Sequence, residues 1–256
     1  MENPSAPVVE TRQGALIGFT EGDTHVWCGI PYAAPPVGQW RWRSPRPPAR
    51  WDGVRPATAF SASSWQSSES CQELGGGDPG QFSEDCLYLN VWSPVARADP
   101  LPVMVWLHGG GFTLGAGGLP PYNGRALAKR GTVVVTINYR LGHLGFFAHP
   151  ALEGEEERVV HNFALLDQIQ ALEWVRDNIA AFGGDPENIT VFGESAGARS
   201  VLSLMASPLA RGLFHKAIVQ SGYTLPDTPR GQAMHKGEAI AAHFGLHNAT
   251  AEQLRA

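Results

Sequence analysis

The sequence has little cysteine and no surplus of positive charge. Its three cysteines among 256 residues are too few for a disulfide-dense secreted scaffold, and their spacing does not match a zinc site. The formal net charge is −5, so the chain lacks the basic excess that drives binding to nucleic acid. We therefore expect no nucleic-acid partner and no metal site.

One basic cluster departs from this balance. Its four arginines, interleaved with tryptophans in a proline-rich stretch, are Arg41, Arg43, Arg46 and Arg50. Such a cluster can stack single-stranded nucleic acid. We prefer the alternative that the arginine stems pack against the tryptophan rings of an ordered loop.

Long apolar runs are also missing. No stretch approaches the roughly 20 apolar residues that span a bilayer, and residues 1–10 contain no signal-peptide pattern. We therefore predict no membrane span and a cytoplasmic location, with secretion as the less favoured alternative. The 43% hydrophobic and 17% charged content is typical of a globular domain.

The first third of the chain predicts antiparallel strands and irregular segments. Short β-prone runs separated by turn residues occupy residues 8–10, 15–19 and 25–30. Residues 61–80 are rich in serine and glycine, which predicts a mobile loop.

From residue 87 onward, strand and helix patterns alternate. The predicted strands are residues 87–92, 103–107, 132–138, 189–192 and 217–220. The predicted helices are residues 125–129, 162–181, 196–205 and 232–244. Alternation of this kind predicts an α/β fold with a mostly parallel central sheet flanked by helices.

A nucleophile motif lies where one of these strands meets a helix. The residues Gly193, Glu194, Ser195, Ala196 and Gly197 match the pattern G-x-S-x-G. In the strand–turn–helix setting the serine sits on a sharp, strained turn and its hydroxyl is exposed above the sheet. We predict Ser195 as a catalytic nucleophile, with the Ala196 amide donating to an oxyanion.

A second glycine motif follows the apolar strand at residues 103–107. His108 is followed by three glycines, whose bare amides at the carboxyl end of a strand can stabilise a developing oxyanion. We assign this role to Gly110 and Gly111. A phosphate-binding loop is the alternative, but no Walker lysine follows.

With these motifs in place, the chain closely resembles the type-B carboxylesterase/lipase family, which includes the cholinesterases. The resemblance rests on residues 29–33, 83–92, 108–112, 138–142, 162–163, 166–168, 178–179, 182–186, 193–197 and 220–222. It implies an α/β-hydrolase that cleaves small-molecule carboxylic esters through an acyl-serine intermediate, without a metal or organic cofactor.

The resemblance also implies roles for individual residues. The family's oxyanion donors fall on Gly110, Gly111 and Ala196, and Glu194 corresponds to a buried acid that tunes the site. A family disulfide would fall on Cys71 and Cys86, and two reduced thiols remain an open alternative. Cys28 has no evident partner.

The sequence supplies no convincing base for Ser195. In this fold the order is nucleophile, acid, histidine, and Asp227 with His243 or His247 fits that order. No strand pattern follows residue 220, however, and family members are about twice as long. We therefore predict that residues 1–256 form an incomplete α/β-hydrolase domain without the C-terminal strands, the triad acid and the histidine.

Other candidate groups are weaker. The remaining downstream candidates are His215, His235, Glu238 and Glu252. His108 and His161 precede the serine, and each belongs to a local motif.

The aromatic residues Trp106, Phe112 and Phe163 border the pocket or pack in the core. Three functions stay open: a serine esterase, a non-catalytic binding protein of the same fold, and an inert fragment. The oligomeric state is not predicted.

Overall fold

The computed structural model describes residues 6–97, 100–155, 161–222 and 228–256. Within these ranges the strands are β1 (Val8–Glu10), β2 (Ala15–Ile17), β3 (Phe19–Glu21), β4 (Thr24–Pro31), β5 (Val54–Pro56), β6 (Tyr88–Pro94), β7 (Leu101–Leu107), β8 (Val133–Ile137), β9 (Gly184–Glu194) and β10 (Lys216–Gln220). The α-helices are α1 (Ser68–Glu73), α2 (Arg125–Ala128), α3 (Gly142–Phe146), α4 (Phe163–Asn178), α5 (Ala196–Ala206), α6 (Arg230–His243) and α7 (Ala251–Arg255). In these ranges no helix combines the length and the apolar character needed to cross a membrane.

A mixed seven-stranded sheet forms the centre of the molecule. Its order is β10-β9-β7-β8-β6-β4-β3. The four strands from β10 to β8 pair in parallel, and the strands from β8 to β3 pair antiparallel. The predicted α/β architecture with N-terminal antiparallel strands is confirmed, although parallel pairing covers half of this sheet rather than most of it.

Side-chain alternation places core on both faces of the sheet. In β8, Val133, Val135 and Ile137 pack into the main core, which also contains the apolar faces of α4 and α5. The intervening Val134 belongs to a second cluster with Trp92 and α2. Because neighbouring residues of a strand point to opposite faces, all five residues of β8 are buried from both sides of the sheet.

The predicted run at residues 15–19 is divided between two sheets. Its first part, β2, pairs with β1 and β5 in a separate three-stranded sheet, whereas β3 pairs with β4. The chain changes sheets at Gly18, whose amide donates to the carbonyl of Pro7 at 2.9 Å.

The predicted mobile loop at residues 61–80 contains the helix α1. The Ser67 hydroxyl caps this helix by accepting the amide hydrogen of Ser70 at 3.2 Å. The buried Ser63 hydroxyl donates to the carbonyl of Pro79 at 2.6 Å. The serines that suggested mobility therefore form the hydrogen bonds that hold this segment in place.

Candidate active site

Ser195 lies in the turn between β9 and α5, as the motif predicts. Its backbone has φ 54° and ψ −118°, a conformation that is strained for a residue with a side chain. Its amide donates to the carbonyl of Gln220 at 3.0 Å, and its carbonyl accepts from the amide of Arg199 at 2.9 Å. The end of β10 and the first turn of α5 thus hold the strained turn from both sides.

The two motif glycines are required because backbone passes too close for a side chain. A Cβ atom on Gly197 would lie 2.0 Å from the carbonyl oxygen of Leu107, and one on Gly193 would lie 2.5 Å from the carbonyl carbon of Gly197. Both glycines let the turn pack directly against the carboxyl end of β7.

The glycine loop, residues 108–115, lies against this turn. A Cβ atom on Gly109 would be 2.7 Å from Glu194 Oε2 and 3.3 Å from Ser195 Cβ. Gly110 has φ 101°, and its carbonyl accepts the amide hydrogens of Thr113 and Leu114 at 3.0 Å each. The two glycine motifs, about 85 positions apart in the chain, form one site at the carboxyl edge of the parallel strands.

The amides assigned to the oxyanion hole are available as donors. Among the described residues, no acceptor takes the amide hydrogen of Gly110 or Gly111. The Ala196 amide opens α5 and therefore has no partner within the helix. Their joint action on one oxyanion stays a prediction.

A cavity of about 410 Å³ lies over Ser195. Its walls are formed by Cys71, Leu74, Gly76, Gly109, Gly110, Gly111, Thr113, Leu114, Gly115, Leu119, Tyr122, Glu194 and Ser195. The leucines give it apolar walls, and Glu194 is the one charged side chain among these residues. Within the described part of the chain, no three His, Cys, Asp or Glu side chains cluster closely enough to hold a metal ion.

The three aromatic residues considered for the pocket pack elsewhere. Trp106 lines a neighbouring cavity of about 110 Å³. The Phe112 ring contacts that of Phe146 at 5.1 Å between centroids, and Phe163 is buried under the guanidinium of Arg140.

Glu194 lines the cavity and is half-buried rather than buried, which corrects the expectation taken from the resemblance. Its neighbour Tyr122 was not predicted as a site residue. Burial raises the pKa of the Tyr122 hydroxyl, and the carboxylate of Glu194 raises it further. Tyr122 lines the cavity, and a tyrosine hydroxyl with a raised pKa stays protonated at neutral pH.

All nine histidines lie among the described residues, and none lines the cavity over Ser195. His108 is fully buried, with Nδ1 2.9 Å from the carbonyl of Gly109 and its ring stacked on Tyr139. Burial lowers the pKa of His108 to about 4, so it is a weak base at neutral pH. Its position supports a packing role.

The other candidate bases lie away from Ser195. His215 Nδ1 accepts the amide hydrogen of Ile189 at 3.2 Å. His215 directly precedes β10, so it lies at the amino ends of the parallel strands, whereas Ser195 lies at their carboxyl ends. His161 lies 3.6 Å from Glu153. The exposed candidates on α6, α7 and the segment between them are His235, Glu238, His243, His247 and Glu252. The candidate acid Asp227 falls outside the described residues.

The disulfide expected between Cys71 and Cys86 is not formed, because all three cysteines are free thiols. Cys86 belongs to the main core, whereas Cys71 packs with Leu119 in a separate cluster beside the active-site cavity. The side chain that hydrogen-bonds with Cys86 is Ser64. The pairing was implied by the family resemblance, whereas the structure has the alternative of reduced thiols and places the two cysteines in different clusters.

Comparisons with known proteins point to one family. The carboxylesterase family profile matches residues 5–256. The chain is 48% identical over 248 residues to a para-nitrobenzyl esterase of Bacillus subtilis, covering 96% of this chain and 50% of the relative. It is 42% identical over 263 residues to carboxylesterase 1E of Mus musculus, covering 96% of this chain and 46% of the relative.

Solved structures give the same result. A thermophilic pNB esterase superimposes with a TM-score of 0.91 at 46% identity, over 98% of this chain and 51% of that one. A carboxylesterase of Geobacillus stearothermophilus gives 0.88 at 47% identity, over 97% and 50%. The predicted α/β-hydrolase fold is thereby confirmed, and the chain spans about half the length of the relatives it matches. It belongs to the carboxylesterase family.

Proposed function

We propose that the chain carries the nucleophile half of a serine carboxylic-ester hydrolase. The observation that carries this proposal is the position of Ser195, on a strained turn at the floor of a 410 Å³ cavity beside the glycine loop. Family membership supports the same chemistry.

In the proposed reaction the Ser195 hydroxyl attacks the ester carbonyl and loses its proton to a base. The carbonyl oxygen becomes an oxyanion that accepts hydrogen bonds from the amides of Gly110, Gly111 and Ala196. The positive end of the α5 dipole favours negative charge at the same place. Collapse of the intermediate expels the alcohol and leaves an acyl-serine, which water hydrolyses.

The base and its orienting acid are proposed to come from residues beyond this sequence. The support is that no histidine of the chain lines the cavity, while the matched relatives are about twice as long. We propose that residues 1–256 form an incomplete hydrolase domain. Separately, we propose a cytoplasmic location for the protein. Turnover by the chain alone should be very low, because general-base catalysis contributes about 10²–10⁴ in rate.

The proposed substrates are small neutral carboxylic esters. The leucine walls of the cavity favour an apolar acyl or alcohol group, and the carboxylate of Glu194 opposes an anionic one. The relatives include proteins named para-nitrobenzyl esterase and fumonisin B1 esterase, so para-nitrobenzyl esters and fumonisin B1 merit testing as substrates.

The experiment is covalent labelling with a fluorophosphonate probe, located by mass spectrometry. We expect slow labelling, and only at Ser195. Added imidazole should accelerate it by acting as an external base. Ser195→Ala should abolish it. Ser203→Ala is the matched control. Ser203 lies on α5, the helix that follows Ser195, and its hydroxyl donates a hydrogen bond to the carbonyl of Arg199. A folded wild-type chain that stays unlabelled even with imidazole would favour an inert fragment or a binding protein.

A further inference from the structure

The end of the glycine loop is held by a side chain that no motif singles out. The Gln66 side-chain amide donates to the carbonyl of Gly115 at 2.9 Å, and its Oε1 accepts the amide hydrogen of Gly115 at 2.7 Å. The backbone N–H and C=O of Gly115 are thus both hydrogen-bonded to the Gln66 side chain. In a β-sheet a neighbouring strand would supply such partners.

Other residues hold the beginning and the middle of the glycine loop. The Tyr139 hydroxyl donates to the carbonyl of His108 at 2.6 Å, and the carbonyl of Phe112 accepts from the amide of Gly142 at 2.7 Å. Both partners lie in the segment that leads from β8 into α3. Gln66 therefore adds a separate anchor at the end of the loop, where the Cys71 thiol also approaches the Gly115 amide.

A displacement at Gly115 would reach the oxyanion donors through a short chain of contacts. The preceding residue, Leu114, donates its amide to the carbonyl of Gly110 at 3.0 Å. A Cβ atom on Gly110 would lie only 2.3 Å from the carbonyl oxygen of Leu114. The turn is so tightly closed that the plane of the Gly110–Gly111 peptide follows the position of Leu114.

We propose that Gln66 is a positioning residue for the reaction. It fixes Gly115 and, through Leu114 and the Gly110 carbonyl, sets the direction of the Gly111 amide, which is proposed to act together with the Gly110 amide. This inference rests on the proposed function of those two amides. Gln66 does not line the cavity, so it acts on the rate of bond formation rather than on ligand binding.

The test compares three variants of the 256-residue chain. Gln66→Met keeps the side chain's length without its hydrogen bonds, and Gln66→Glu keeps the acceptor but replaces the donor with a carboxylate oxygen. Gln72→Ala is the control, because Gln72 is exposed on α1 and its side chain hydrogen-bonds only with Ser68 among the described residues. Circular dichroism verifies that each variant is folded.

The first readout is fluorophosphonate labelling of Ser195 with imidazole, resolved into the maximal rate and the half-saturating probe concentration. For Gln66→Met we expect the maximal rate to fall by roughly 10- to 100-fold, because small misplacements of catalytic groups have effects of this size. The half-saturating probe concentration should change less than about twofold, because the contacts that bind the probe before the reaction are unchanged.

A pH series separates hydrogen bonding from packing. A protonated glutamic acid can donate to the Gly115 carbonyl and accept from its amide, as glutamine does. The maximal labelling rate of Gln66→Glu, divided by that of wild type, should therefore rise as pH falls through the pKa of the new carboxyl group. The same ratio for Gln66→Met should not change with pH. A flat ratio for both variants would contradict the proposal.

The second readout does not depend on catalysis. Hydrogen exchange at the Gly115 amide should accelerate at least about tenfold in Gln66→Met and stay unchanged in Gln72→Ala. If wild type is not labelled but exchange accelerates, the esterase proposal fails and the anchoring of the loop stands. If wild type is labelled and Gln66→Met labels at the same maximal rate, the positioning role is overturned while the esterase proposal stands.

Discussion

Gly197 shows how closely single residues are fixed at the nucleophile turn. Gly197→Ala would place a methyl group 2.0 Å from the carbonyl oxygen of Leu107, so β7 and α5 must separate. We expect a loss of about 3 kcal/mol in the free energy of unfolding, at the upper part of the range for overpacking, together with loss of Ser195 labelling. Urea denaturation followed by circular dichroism measures the first effect.

Gly231→Ala is the matched control for this substitution. Gly231 lies in α6 with no atom within 4 Å of a built Cβ, so alanine should be neutral or stabilising by up to about 1 kcal/mol. Equal urea midpoints for Gly197→Ala and wild type would refute the close contact.

The three thiols are predicted to differ in reactivity. Burial raises the pKa of Cys28 and Cys86 to about 12, which leaves about one thiolate in 10⁴ at pH 8. Burial also raises the pKa of Cys71, but its thiol borders the active-site cavity. Iodoacetamide should therefore alkylate Cys71 first, and prior phosphonylation of Ser195 should slow that reaction.

Peptide mapping by mass spectrometry measures the order of alkylation, with Cys71→Ser as the control. The same mapping without reductant tests the free state of the thiols. Recovery of a disulfide-linked peptide pair containing Cys71 and Cys86 would contradict the structure, as would equal alkylation of Cys71 and Cys86.

Site residues were predictable from sequence where the chemistry is local. Ser195 and Gly193 sit within five residues of one another, and the strand and helix that flank them have strong patterns of their own. Leu74, Tyr122 and Gln66 reach the site through tertiary contacts. Nothing in their immediate sequence marks them, because contacts between distant parts of the chain, such as the 49-residue separation of Gln66 and Gly115, leave no local sequence pattern.

At the scale of elements, a buried ion pair joins the end of β8 to α4. Arg140 and Asp167 are 2% and 0% exposed, and the guanidinium donates to the carboxylate at 2.8 and 2.6 Å. Asp167→Asn leaves a buried guanidinium without its counter-charge. We expect a loss of about 3–5 kcal/mol in the free energy of unfolding.

A surface pair provides the comparison for Asp167→Asn. Asp177 pairs with Arg12, whose side chain is 64% exposed, and Asp177→Asn should cost less than about 1 kcal/mol. Thermal melts of both variants give the difference. Similar losses for the two substitutions would show that burial does not set the energy of the Arg140–Asp167 pair.

The elements themselves were predictable where their burial is uniform. β7 and β8 are mostly apolar and have buried side chains on both faces of the sheet, and α4 has apolar residues at helical spacing. The sheet change within residues 15–19 was not visible, since β2 and β3 have the same strand pattern and only their pairing differs. α1 was missed because its capping serines also fit a loop.

At the scale of the whole molecule, β10 forms one edge of the central sheet within the described residues. Ile218 and Val219 on this strand are 42% and 39% exposed. Leu202 on α5 lies near Val219, since a Cβ atom on Gly222 would approach both Val219 and Leu202 within 4 Å. Apolar side chains on an unpaired strand edge favour self-association.

We therefore expect the 256-residue chain to associate through β10 at micromolar concentrations. Ile218→Lys should weaken this association, because a lysine on an edge strand opposes pairing between copies. Val8→Lys is the matched control, since Val8 is 53% exposed on β1 in the other sheet and should leave association unchanged. Sedimentation velocity over a concentration series measures the effect. A wild-type chain that sediments as a monomer throughout would show that the exposed face of β10 does not attract a second copy.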